Sequence, residues 1–230
     1  MTTPSRPAFA RLPRCEAGNR IGLLGGSFNP AHAGHRLLSL IALKRLRLDA
    51  IWWLATPGNP LKRTADLPPL AERMAQARRV AAHPRIVVTG VEADIGKRYT
   101  YDTLLWLTRR APHVHFVWLM GADNLRQFDR WRRWRAIARL VPIAVIDRPG
   151  SSFTAVRSRA GVWLSRNRLP EVDAARLATT RPPAFVFLHG PRSSLSSTAL
   201  RRAAIENASK SRHVDQAPRI RRDVARGPER

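Results

Sequence analysis

Cysteine is almost missing from this chain of 230 residues: Cys15 stands alone, so no internal disulfide can form. No Cys/His array has the spacing of a structural zinc site. Long apolar runs are missing too, since nothing approaches the roughly 18 uninterrupted apolar residues of a membrane-spanning helix. The first 19 residues carry Pro4, Pro7, Pro13 and scattered Arg, without the apolar core of a secretory signal. Acidic residues are few, 16 against 41 Lys plus Arg, and lysine contributes only Lys44, Lys62, Lys97 and Lys210. Together these absences exclude disulfide scaffolds, zinc modules and helical membrane proteins, and the expectation is a soluble protein of the cytoplasm with no membrane partner. What is present is ordinary for a globular chain: 44% hydrophobic and 25% charged residues leave no room for wholesale disorder or a fibrous repeat.

The charge is the outlier. The formal net charge is +25, and residues 21–205 keep +19 of it, so the excess belongs to the body of the protein and not only to its ends. A basic body implies anionic partners, whether nucleic acid, acidic lipid or phosphorylated small molecules.

Short apolar runs without polar alternation recur at Ile21–Leu24, Ile51–Ala55, Ile86–Thr89, Val114–Met120, Ile143–Ile146 and Phe185–Leu188. Between them lie segments with helical spacing: Ala33–Leu46, Leu70–Ala82, Thr103–Leu107, Trp131–Leu140 and, at the end, Ser197–Ile205. Strands that are apolar on both faces, separated by helices, specify βαβ units and a parallel sheet covered on each side. The expected fold is a doubly wound, Rossmann-like α/β domain over residues 20–206. Residues 1–19 read as an extended or disordered tail, and residues 207–230, mixing Ser, Pro, Gly and alternating charges, as a disordered basic one.

In open α/β sheets, ligands bind beyond the carboxyl ends of the strands. After the first strand this chain reads Gly25-Gly26-Ser27-Phe28-Asn29-Pro30-Ala31-His32-Ala33-Gly34-His35. It is neither G-x-G-x-x-G nor a Walker A loop. The glycines let the backbone approach a ligand closely, and His32 and His35, three apart, fall on one side of the helix amino terminus. That terminus offers N–H donors and a partial positive charge to a phosphate. A metal pair would need a third ligand, and none lies nearby in the sequence.

Gly25–His35 resembles the G-G-[ST]-F-[DN]-P-x-H-x-G-H signature of the nucleotidylyltransferase superfamily, and Leu195–Arg201 (LSSTALR) resembles its second signature, I-S-S-T-x-[IL]-R. Four intermediate segments are similar to those of the bacterial nicotinate-nucleotide adenylyltransferase family: Pro57–Lys62, Tyr99–Leu104, Gly121–Leu125 and Phe128–Trp131 with Trp134. The resemblance spans about residues 20–206. Two positions depart from the pattern: Asn29 stands where many members have Asp, and Leu61 where many have Pro-His.

The resemblance implies adenylyl transfer from ATP to nicotinate mononucleotide, giving deamido-NAD and pyrophosphate. The attacking phosphate is already anionic, so no general base is needed; positioning and donors of positive charge carry such a reaction. It implies His32, His35 and Arg201 as catalytic contacts to phosphate. Gly25, Gly26, Ser27, Phe28, Ser197 and Thr198 are implied to cradle ATP, with Asp123 either on a ribose or capping a helix. Asn59, Lys62, Thr100, Tyr101, Trp131 and Arg132 are implied for the nicotinate nucleotide. Mg2+ would be delivered with ATP. Lys44 reads as a solvated face.

Of the seven tryptophans, Trp52, Trp53, Trp106, Trp118 and Trp163 lie in strand or helix runs and read as core or partly buried, whereas Trp131 and Trp134 sit in the polar stretch Asp129–Arg135, where core burial is not expected. A stacking platform for a pyridine ring fits that stretch, and the resemblance points to Trp131 for it. Nicotinamide mononucleotide or phosphopantetheine as acceptor is the alternative within the superfamily. A basic nucleic-acid-binding protein is the alternative outside it; it leaves both phosphate signatures unexplained, so no specific nucleic acid is expected. Oligomeric state stays open.

Overall fold

Arg20–Gly26 (β1), whose interior is apolar on both faces, begins an alternation that runs the length of the domain. In the computed structural model, which describes residues 12–58, 67–147 and 152–190 (backbone only at 152 and 153), the elements follow in order. They are α1 (Ala33–Arg45), β2 (Ala50–Ala55), α2 (Leu70–Ala81), β3 (Ile86–Thr89), α3 (Val91–Asp94), α4 (Thr100–Arg110), β4 (His115–Gly121) and α5 (Ala122–Leu125). Then come α6 (Trp134–Leu140), β5 (Ile143–Ile146), α7 (Ser152–Val156), α8 (Arg159–Ser165) and β6 (Phe185–Leu188), with 3-10 stretches at Phe128–Arg130 and Glu171–Thr179.

The six strands form one sheet in the order β3-β2-β1-β4-β5-β6, and every neighbouring pair is parallel. The direction of winding reverses between β1 and β4, which is where this topology opens a crevice beyond the strand ends. Successive residues of a strand face opposite ways. Trp53 and Leu24 therefore enter the core under α1 and α2, while Trp52 and Leu23 enter the one under α4, α6 and α8. Both indoles of β2 are fully buried, and each brings on the order of 150–250 Å² out of water. The doubly wound expectation is met. Among the described residues, no helix is long and apolar enough to cross a membrane.

Two expectations need correction. The helix read over Trp131–Leu140 begins only at Trp134, because Arg133 lies at φ 55°, in the left-handed region that ends or precedes a helix but cannot run through one. Trp134 is also core and not platform: it is 9% exposed and packs edge-on between Phe128 and Trp163. The polar neighbours deceive because Arg135 lays its guanidinium over the Trp134 ring, 5.0 Å from the centroid, keeping its charge in water while its stem covers apolar surface. The helix read over Ser197–Ile205 lies outside the described residues.

Candidate active site

The loop after β1 is held from three sides. At Gly25 a Cβ would come within 2.6 Å of the Trp118 ring on β4, so only glycine allows the two strands to sit this close. Phe28 adopts φ 47°, a strained value for a side chain, and stacks on Trp53 at 5.0 Å and 6°. Beneath, Arg73 of α2 is 3% exposed and donates to the carbonyls of Ser27 (2.6 Å), Thr56 (3.0 Å) and Pro68 (2.9 Å).

His32 caps α1. Its Nδ1 accepts from the Gly34 N–H at 3.1 Å, and the Nδ1 of His35 accepts from the His32 N–H at 3.3 Å. A backbone N–H can only donate, so both Nδ1 atoms are acceptors and the neutral rings carry their protons on Nε2. The ring centroids lie 3.9 Å apart, with His32 5% exposed and His35 packed against Phe28 and Trp53. Two imidazole rings are thus held side by side at the positive end of a 13-residue helix, an arrangement suited to an anion whose charge is growing.

Asp123 lies in the first turn of α5, directly after β4, the strand beside β1 at the crevice. On the α4 side, the sequence-predicted pairs Thr100–Tyr101 and Trp131–Arg132 come together. Arg132 places Nη1 3.2 Å from Asp102 Oδ2 and its guanidinium 4.6 Å from the Tyr99 centroid, while Arg133 covers Tyr101 at 5.1 Å. The half-buried Trp131 stands edge-on to Trp118 (6.1 Å) and Phe128 (5.3 Å). An aromatic chain therefore runs from Gly25, through Trp118, to Trp131. Lys44 is exposed, as read from the sequence. Asn59, Lys62, Ser197, Thr198 and Arg201 lie outside the described residues. Among the described residues, no group of three or more His, Cys, Asp or Glu is placed to hold a metal.

Three buried charged residues among those described, Arg73, Glu92 and Asp147, are not marked out by the sequence reading. Arg73 falls on the stripe Arg73, Ala77, Ala81 that α2 buries, and a charge on an apolar stripe was the available signal. Glu92, 6% exposed, follows β3 and accepts from the Thr103 hydroxyl of α4 at 3.0 Å. Burial pushes its carboxyl up to about 7, against the pull of hydrogen bonds from Thr103 and Thr56.

The cytidylyltransferase-like family model matches residues 23–203. A protein of Methylorubrum extorquens named a probable nicotinate-nucleotide adenylyltransferase is 63% identical over 182 residues, 79% of this chain and 98% of that protein. A protein of Rhizobium johnstonii with the same name is 54% identical over 190 residues, covering 83% and 96% of the two chains. The fold is similar to that of Plasmodium falciparum nicotinic acid mononucleotide adenylyltransferase complexed with NaAD, with a TM-score of 0.60 at 17% identity over 84% of this chain and 89% of that one.

Proposed function

This chain belongs to the cytidylyltransferase-like family and, within it, to the nicotinate-nucleotide adenylyltransferases, and from that premise we propose that it joins ATP to nicotinate mononucleotide in NAD biosynthesis. A 5′-phosphate oxygen of the mononucleotide attacks the α-phosphorus of ATP in line. The bond from that phosphorus to the bridging oxygen breaks, and pyrophosphate leaves with the electron pair. The observation that carries this reading is the pairing of His32 and His35, their rings 3.9 Å apart, at the α1 amino terminus beside the switch point of the sheet.

In this reading the two histidines hold the reacting and leaving phosphates, joined by N–H groups of the Gly25–Phe28 loop. Ser197, Thr198 and Arg201 hold the β- and γ-phosphates, Arg201 through its planar fork of donors. Asp123 takes a ribose of ATP. Asn59 and Lys62 contact the nicotinate nucleotide, whose ring stacks on Trp131 and whose carboxylate meets backbone N–H groups at Thr100, Tyr101 and Arg132, the Trp131 N–H being held by the Phe128 carbonyl. Mg2+ enters as part of the ATP substrate and keeps most of its waters, as this ion does beside phosphates. The catalytic domain spans residues 20–206 and works in the cytoplasm.

The test is product analysis after incubation with MgATP and, separately, nicotinate mononucleotide, nicotinamide mononucleotide and phosphopantetheine. Pyrophosphate with deamido-NAD from the first is expected. Preferred turnover of either other acceptor overturns the assignment.

A further inference from the structure

The buried guanidinium of Arg73 has a geometry that goes beyond filling space. A single nitrogen, Nη1, donates to Ser27 O and Thr56 O, while Nε donates to Pro68 O, so one side chain joins the loop after β1, the end of β2 and the approach to α2. None of the ion pairs among the described residues gives it a carboxylate partner. Its partners are carbonyl dipoles only. A buried charge is costly unless well paired, and carboxylates are the usual pair, so an all-carbonyl set is an expensive way merely to fill a core.

The peptide plane explains what the arrangement achieves. In a trans peptide the carbonyl and the following N–H point opposite ways. Drawing Ser27 O onto Arg73 at 2.6 Å therefore turns the Phe28 N–H to the far side, away from α2. The same residue, Phe28, sits at φ 47°, a strained conformation that persists only where its surroundings over-determine it. Arg73 on one side and the stack on Trp53 on the other supply that determination.

We propose that Arg73 is a positioning residue that locks the Gly25–Phe28 loop with its Phe28 N–H turned toward the phosphates of ATP, acting through Ser27 and not by contact with substrate. The inference rests on the phosphate role assigned to this loop. It predicts a division of labour: loss of Arg73 harms ATP binding and the chemical step, and leaves the nicotinate side, built on α4 and Trp131, nearly untouched.

The experiment compares wild type with Arg73→Lys and Arg73→Ala by ATP titration calorimetry, steady-state kinetics and thermal melting. Arg73→Lys keeps the charge and most of the packing but cannot span three carbonyls, so it stays informative if the alanine variant fails to fold. Arg73→Lys is expected to weaken ATP binding and lower kcat by roughly 10- to 100-fold, the scale seen when a group that orients a contact residue is lost. The KM for nicotinate mononucleotide should stay within about threefold of wild type, and added guanidinium should restore part of the lost turnover to Arg73→Ala, since it returns the donor and would only denature a merely loosened fold. Wild-type ATP affinity and kcat in a folded Arg73→Lys overturn the inference, as does a matched rise in both KM values. If wild type binds ATP but makes no dinucleotide, the reaction reading fails on its own, and the ATP titrations still decide for or against Arg73.

Discussion

Trp53 donates its indole N–H to the Ser39 hydroxyl at 2.9 Å, and the Ser39 hydroxyl in turn donates a hydrogen bond to the His35 carbonyl at 2.9 Å. A residue buried in β2 is thereby tied to the first turn of α1, the turn that carries both histidines. The same indole stacks on Phe28, so one side chain steadies both the loop and the helix that follow β1.

Ser39→Ala should leave the Trp53 N–H buried without a partner, at about 1–3 kcal/mol of stability. In a Trp53→Phe background the same substitution should cost clearly less, because the orphaned donor is gone. Urea denaturation of the four proteins in this cycle measures the coupling. Equal costs in both backgrounds would mean the bond contributes nothing.

His35→Ala removes one donor from the phosphate pair and one acceptor from the cap of α1. Turnover should fall at least ~100-fold, the scale for deleting a donor to developing charge, while loss of the cap bond costs only about 0.5–2 kcal/mol. A folded variant that turns over within a few-fold of wild type would remove His35 from the mechanism.

The parts of the fold legible in the sequence are those fixed by local pattern. Ile143–Ile146 and Phe185–Leu188 are uniformly apolar, and such runs have one home, the interior of a parallel sheet. The Gly-Gly turn with H-x-G-H marks its own place at a strand end and helix start. What stayed hidden depends on contacts between distant residues. The contact of Arg73 with Ser27, 46 residues away, is encoded in no local pattern. Trp134 reads as exposed until the Arg135 and Phe128 side chains cover it. The resemblance implies Arg132 for the nicotinate nucleotide through its backbone N–H; that its side chain pairs with Asp102 and lies over Tyr99 is a contact only the fold reveals.

Glu92 should make stability depend on pH. Its carboxyl, held at about 7 by burial against 4.5 for the free side chain, keeps its proton in the folded state over a range where the unfolded chain has lost it. Stability is then greatest below the unfolded value and falls as pH rises from about 4.5 to 7, flattening above. The total is roughly 3 kcal/mol at 1.36 kcal/mol per pH unit. Glu92→Gln is neutral throughout, so melting curves from pH 4.5 to 8 should show wild type losing stability relative to the variant as pH rises. Parallel curves would show that Glu92 titrates normally.

Selectivity between nicotinate and nicotinamide mononucleotides turns on a carboxylate against a neutral amide. In the proposed site the backbone N–H donors at Thr100, Tyr101 and Arg132 suit the acid, and donors left unpaired by the amide penalise it, so at least ~100-fold in kcat/KM is expected. Trp131→Ala should weaken both nucleotides by about 1–3 kcal/mol if the indole stacks on the pyridine as aromatics stack on bases. The preference for the acid should survive, since the donors remain. Arg132→Ala removes an ion pair whose partners are partly solvated, 49% and 28% exposed, so its effect on KM for nicotinate mononucleotide should be small, within the ~0.2–1 kcal/mol of such pairs. Competition kinetics with both nucleotides across the three proteins separates these effects. If Arg132→Ala erased the preference while Trp131→Ala kept it, selectivity would lie in the Arg132 side-chain charge and not in the backbone donors.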